Sequence, residues 1–134
     1  MSNIDLNKYK EFVDAVTSDE SKNSVALEAS LDKLRQQVIV PRMLTAAIGL
    51  ASETGEFNEI VKKCMFQGKP MNEDTKYHMA RELGDIIWYW IQACESINAD
   101  PNEIIAMNVE KLKARYPGGE FDAYYSENRQ EGDL

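Results

Sequence analysis

Two pairs of acidic residues carry most of the chemical information in this 134-residue sequence: Glu53 with Glu56, and Glu82 with Asp85. Within each pair the spacing is three, which on a helix places both side chains on one face. Two neighbouring helices that brought four carboxylates together would force them to repel one another unless a cation lay between them, so the pattern asks for a metal. Oxygen-only ligands suit a hard ion, Mg²⁺ with Mn²⁺ as its substitute, whereas a zinc site would favour His and Cys. Magnesium keeps several waters and binds through a few carboxylates together with substrate phosphates, which gives an acidic protein a way to hold a polyphosphate. Glu82 and Asp85 interleave with Leu83, Ile86 and Ile87, whereas a purely solvated face would keep its charges apart from the apolar stripe. The competing reading is two acidic surface patches, because pairs of acids three apart are common on helices.

Other residues extend this constellation. Gly55 and Gly84 fall between the acids of each pair, where a glycine inside a helix costs about 1 kcal/mol relative to alanine. Close helix approach, or room for an ion and its waters, is the expected reason. Lys62 and Lys63 follow Glu56 on the same segment, and Asn108, Lys111 and Arg115 recur at steps of three and four, so those last three share one helix face. Lys63, Asn108, Lys111 and Arg115 are the candidates for clasping phosphate oxygens, arginine being suited to two-point contact. Cations near a helix C-terminus are also favoured by the helix dipole alone, which is their ordinary explanation. His78 reads as a partly exposed helix residue. Trp88, Tyr89 and Trp90 read as core or subunit-interface material, with stacking on a base as the functional alternative.

The elements that must position these groups are helices throughout. Apolar residues Tyr9, Phe12, Val13 and Val16 predict a helix from about Leu6 to Val16. The polar run Thr17 to Ser24 interrupts it, and Leu27, Leu31, Leu34 and Val38 restart a helical stripe that Pro41 should end or kink. A third helix is expected from Arg42 to about Phe66, stopped by Gln67, Gly68, Lys69 and Pro70. Asn72 can cap a fourth running to about Ala99, whose stripe of Met79, Leu83, Ile86, Ile87, Trp90, Ile91, Cys94 and Ile97 must pack on another helix. Asp100, Pro101 and Glu103 form a start signal for a last helix to about Arg115, ended by Pro117, Gly118 and Gly119. Phe121, Tyr124 and Tyr125 remain as docking points in the polar tail. No stretch alternates in the manner of a β-strand, so the expected class is all-α, a bundle of four to five helices. A single domain is expected over 1–134, with N-terminal helices over 1–40, core helices over 42–115 and a tail over 116–134.

Composition narrows the functional classes. The net charge of −8, from 15 basic against 23 acidic residues, argues against a nucleic acid polymer or a membrane surface as partner, since both are bound through a basic face. Cys64 and Cys94 lie in apolar stretches without a CxxC pairing, which fits free thiols in a reducing cytosol. No apolar run approaches the roughly 18 residues of a spanning segment, and the N-terminus mixes charges into its few apolar residues, so a cytoplasmic protein is expected.

Three segments resemble one family: Gly49–Lys63 (GLASETGEFNEIVKK), Arg81–Trp90 (RELGDIIWYW) and Asn108–Pro117 (NVEKLKARYP) are similar to the MazG-like all-α nucleoside triphosphate pyrophosphohydrolases. The tail RYPGGEFDAYYSENR is similar to that family's ending. The family's EExxE and ExxD motifs map onto Glu53 and Glu56, then Glu82 and Asp85. Ser52 stands where many members carry the first Glu, with Glu59 as the carboxylate that could contribute instead. The resemblance implies hydrolysis of a nucleoside or deoxynucleoside triphosphate to its monophosphate with release of pyrophosphate, a purine deoxynucleotide such as dGTP being one candidate. It also implies assembly as a homodimer or homotetramer, a dimer of dimers, with the site completed by a neighbouring subunit. On this reading Glu53 or Glu56 acts as the catalytic base on a water.

Two rivals belong to other classes. A carboxylate-bridged di-iron bundle would need Glu-x-x-His pairs, and no acid stands three residues before His78. A helical oligomer that binds nucleotide or a protein partner as a regulator would keep the fold without turnover, and the complete four-acid set argues against it.

Overall fold

The structure is a computed structural model and describes residues 3–129. Among these residues there is no strand, and the chain forms six α-helices and one 3₁₀ turn. It divides into two compact units, Met1–Val40 and Pro41–Leu134. No helix among the described residues is long and apolar enough to cross a membrane.

In the first unit, α1 (Leu6–Val16) starts where the Asp5 side chain accepts hydrogen bonds from the amides of Asn7 and Lys8. A side-chain cap of this kind satisfies amides that the first turn leaves without a carbonyl. The polar run after Val16 breaks the helix as its composition predicts and forms the 3₁₀ turn Asp19–Ser21, which packs against α2 (Ser24–Arg35). Asn23 caps α2 through its side chain in the same way. The end of α2 differs from the expectation. The helix stops at Arg35, short of Val38, and Pro41 lies in the first turn of the next helix instead of ending this one. Proline suits that place because the amide it lacks would have no intrahelical partner in a first turn.

The two long helices are α3 (Val40–Phe66), which belongs to the second unit from Pro41 onward, and α4 (Glu73–Ser96). Gly68 leaves α3 with a φ of 71°, a left-handed conformation that glycine adopts freely, and the Asn72 side chain then caps α4 by accepting from the Thr75 amide at 2.9 Å. The start of α5 (Pro101–Arg115) carries the expected signal in full, with Asp100 accepting from the Asn102 amide at 2.8 Å, Pro101 in the first turn and Glu103 beside it. A sixth helix, α6 (Ala123–Glu127), capped by Asp122, lies in the tail and adds one element to the four or five expected. A five-residue helix offers less than two turns of periodicity to read.

The long helices α3 and α4 run antiparallel, since Gly49 meets Tyr89 while Glu53, later on α3, meets Asp85, earlier on α4. A Cβ built on Gly55 or on Gly84 would meet nothing within 4 Å, so neither glycine is explained by close helix approach within this chain. Space beside the acids is the explanation that stands. Alanine at either position therefore gains helix propensity without a clash, and Gly55→Ala and Gly84→Ala should each stabilise the metal-free protein by roughly 0.5–1 kcal/mol. Denaturant titration of each variant checks this; a loss of stability would show that something in the folded protein already fills that space.

The single chain covers little of its apolar surface. Among the described residues the buried hydrophobics are Val40, Ala46 and Cys94. Of the α4 stripe, Cys94 is buried and Met79, Ile86 and Trp90 are half-buried, while Leu83 and Ile87 stay 50% and 58% exposed. The expectation that this whole stripe packs on another helix is therefore met only in part inside one chain.

Candidate metal centre

Three of the four acids converge. Glu53 on α3 and Glu82 and Asp85 on α4 each offer a carboxylate oxygen, and the three oxygens lie within 4.8 Å of one another. Helical spacing does this on α4, where Glu82 and Asp85 are one turn apart on one face, and the antiparallel pairing brings α3 alongside. Glu53 and Glu82 are half-buried and Asp85 is exposed, so the group opens to solvent on one side.

Glu56, one turn beyond Glu53, is exposed and lies outside this three-residue group, yet near enough for its charge to act on Glu53. The Glu53 carboxyl is held above the usual carboxylate range. Partial burial is the largest cause, followed by a side-chain hydrogen bond with Glu82 and then by the charges of Asp85, Glu82 and Glu56. A divalent ion between these carboxylates would offset the mutual repulsion that adds to the effect of burial. The donor set fits such an ion, being all oxygen and drawn from rigid helices.

Glu59, expected to take the place of the carboxylate that Ser52 lacks, is not in the group; it is paired with Lys62 at 2.7 Å and Lys63 at 3.4 Å. These hydrogen bonds, Lys62 first, hold the Glu59 carboxyl below its ordinary value, the opposite of Glu53. Glu59, six residues after Glu53 on α3, thus forms a surface ion pair and does not join the acidic group. Lys63, a candidate phosphate contact, is engaged in that pair. Asn108, Lys111 and Arg115 share one face of α5, Asn108 exposed and the other two half-buried. His78 is exposed and stands edge-on to Tyr77 with ring centroids 6.0 Å apart. Trp88 is 54% exposed on α4, one turn after Asp85, edge-on to Tyr89 at 4.9 Å.

The family model of the MazG nucleotide pyrophosphohydrolase domain matches residues 42–119. This span is more than half of the chain and contains all four acids. The chain belongs to the MazG family. No curated protein and no solved structure matches it significantly. Membership makes the protein a nucleoside triphosphate pyrophosphohydrolase, and within the matched span α3 and α4 bring together three of the four acids, Glu53, Glu82 and Asp85. The contact that sequence reasoning missed in this MazG domain is Gly49 against Tyr89. Its one signal in the sequence was a second glycine inside α3, standing among Ala46, Ala47 and Ala51.

Proposed function

We propose that this MazG protein hydrolyses a nucleoside or deoxynucleoside triphosphate to the monophosphate and pyrophosphate, with Mg²⁺ held by Glu53, Glu82 and Asp85 and with Glu56 beside them. The observation that supports it best is the convergence of three carboxylate oxygens from two helices within 4.8 Å. Magnesium, when bound, supplies Lewis-acid stabilisation of phosphate charge. The protein's own contributions are positional and protolytic. Asn108, Lys111 and Arg115 fix and neutralise phosphate oxygens. Lys63 joins them by giving up its exposed pair with Glu59, a pair of the kind worth little in water. A water oxygen attacks phosphorus, its proton passes to Glu56, and the anhydride bond between the α- and β-phosphates breaks to release pyrophosphate.

The open apolar faces support assembly as a homodimer or homotetramer. Ile48 at 70%, Ile87 at 58% and Met107 at 71% exposure are the kind of residues that a second copy would cover. On this reading the whole chain is one cytoplasmic enzyme domain, and Met1 to Val40 serves assembly or base selection. Incubating the protein with Mg²⁺ and each common triphosphate, dGTP as the first purine deoxynucleotide candidate, and measuring pyrophosphate tests the activity. Binding of a nucleotide without pyrophosphate release would make it a regulator and not a catalyst.

The raised pKa of Glu53 gives a pH dependence with a definite sign. A group whose proton is held more tightly in the folded state contributes stability at low pH and loses it as pH rises through the raised value. The metal-free protein should therefore lose stability as pH rises above the ordinary carboxylate range. Mg²⁺ displaces that proton, so its thermal shift should be larger near neutrality than in mild acid. Melting curves with and without Mg²⁺ across that range check this, and an equal shift at all pH values would contradict it.

A further inference from the structure

Gly49 is buried in α3, one helical turn before Glu53, and Tyr89 stands on α4 one turn after Asp85. A Cβ added to Gly49 would overlap Cδ1, Cε1 and Cζ of the Tyr89 ring, so the ring occupies the space that any side chain at Gly49 would need. None of the other described glycines has any neighbour within 4 Å of such a Cβ. Trp88 stands edge-on to the same ring, the two planes at 90°, which limits the ring's freedom to turn aside. The contact sits about 6 Å along the helix axis from the carboxylates, at a rise of about 1.5 Å per residue.

We propose that Tyr89 seated on Gly49 is the spacer that sets the separation of α3 and α4 at the metal centre, making both positioning residues for cation binding; this rests on the reading of Glu53, Glu82 and Asp85 as the ion's ligands. Glu53 reaches its partners from one helix and Glu82 and Asp85 from the other, so the distance between the helices decides whether their oxygens close on one ion. Magnesium demands near-ideal octahedral geometry with short bonds and tolerates misplacement poorly. An aromatic ring against a glycine gives a fixed thickness, because neither partner has a flexible chain to adjust.

The test is calorimetric titration of the full chain with MgCl₂, no nucleotide present, at a temperature where circular dichroism shows native helix. Gly49→Ala forces a methyl into the ring's place and should weaken Mg²⁺ binding by about tenfold or more, the scale on which groups that orient metal ligands act. Tyr89→Phe keeps the ring and should bind within about twofold of the parent. The Gly49→Ala/Tyr89→Ala double variant gives the methyl the vacated space and should bind more tightly than Gly49→Ala. If Gly49→Ala does not fold, Tyr89→Ala alone carries the test, since removing the spacer should also weaken binding. Parent-like affinity in a folded Gly49→Ala or Tyr89→Ala, or a double variant no tighter than Gly49→Ala, overturns the proposal. Glu82→Ala separates the two readings: unchanged Mg²⁺ binding there refutes the metal centre itself and the proposal with it. Lost binding in Glu82→Ala together with retained binding in Gly49→Ala refutes the spacer alone.

Discussion

Glu82→Ala is expected to abolish the thermal shift produced by Mg²⁺ and to lower kcat by about 10²–10³, the loss seen when one preorganised electrostatic group leaves a catalytic centre. The reason lies in where Glu82 sits. It is half-buried, it stands close enough to Glu53 to help raise that carboxyl's pKa, and it supplies one of the three converging oxygens. Removing it would leave one carboxylate on each helix, Glu53 and Asp85, and an ion that relies on so few protein ligands should be held far more weakly after losing one of them. The same substitution relieves repulsion, because Glu82 is one of the neighbouring carboxylates whose charge raises the Glu53 pKa. The metal-free variant should therefore melt no lower than the parent, so lost activity with preserved folding is the combination to look for. Thermal melts and pyrophosphate release, each as a function of Mg²⁺ concentration, measure both. A variant that keeps the full Mg²⁺ shift would place the ion elsewhere.

Helices α4 and α5 were legible in the sequence for a local reason: the start of each is written in a capping side chain next to apolar residues. Asn72 and Asp100 accept from the amides that their positions call for. Where two signals competed, the order of strength was not legible. Pro41 is compatible with ending one helix or opening another, and the choice depends on where α2 stops, at Arg35. The four acids were legible as pairs because a spacing of three is a property of one helix. Their convergence is a relation between two helices, and only the structure shows that Glu53 joins Glu82 and Asp85 while Glu56 stands outside. Glu59 illustrates the same limit: nothing in its own segment says that two neighbouring lysines claim it. Gly49 was missed because its partner, Tyr89, is remote in sequence and the energetic cost of a helical glycine does not name what offsets it.

Glu53 and Glu56 were equivalent candidates for the base that activates water, and the structure separates their surroundings. Glu53 is half-buried among like charges and belongs to the group that would hold the ion. Glu56 is exposed, one turn away on the same helix, and is near enough to interact without being one of the three. A base must keep a lone pair free for the proton it takes, and a carboxylate already committed to a cation is the poorer candidate. Glu56→Gln preserves shape and removes basicity, so it should lower kcat by about 10²–10⁴, the usual contribution of a general base. Mg²⁺ affinity should change far less than in Glu82→Ala, and KM for the triphosphate should stay near the parent's, because the ion and the phosphate contacts remain. Steady-state kinetics beside a Mg²⁺ titration reads the split. If Glu56→Gln loses Mg²⁺ binding in proportion to activity, Glu56 is a fourth ligand and the proton goes to another group. If activity survives with its Mg²⁺ dependence intact, the assignment of Glu56 to the water is wrong, and Glu53→Gln becomes the variant that must fail.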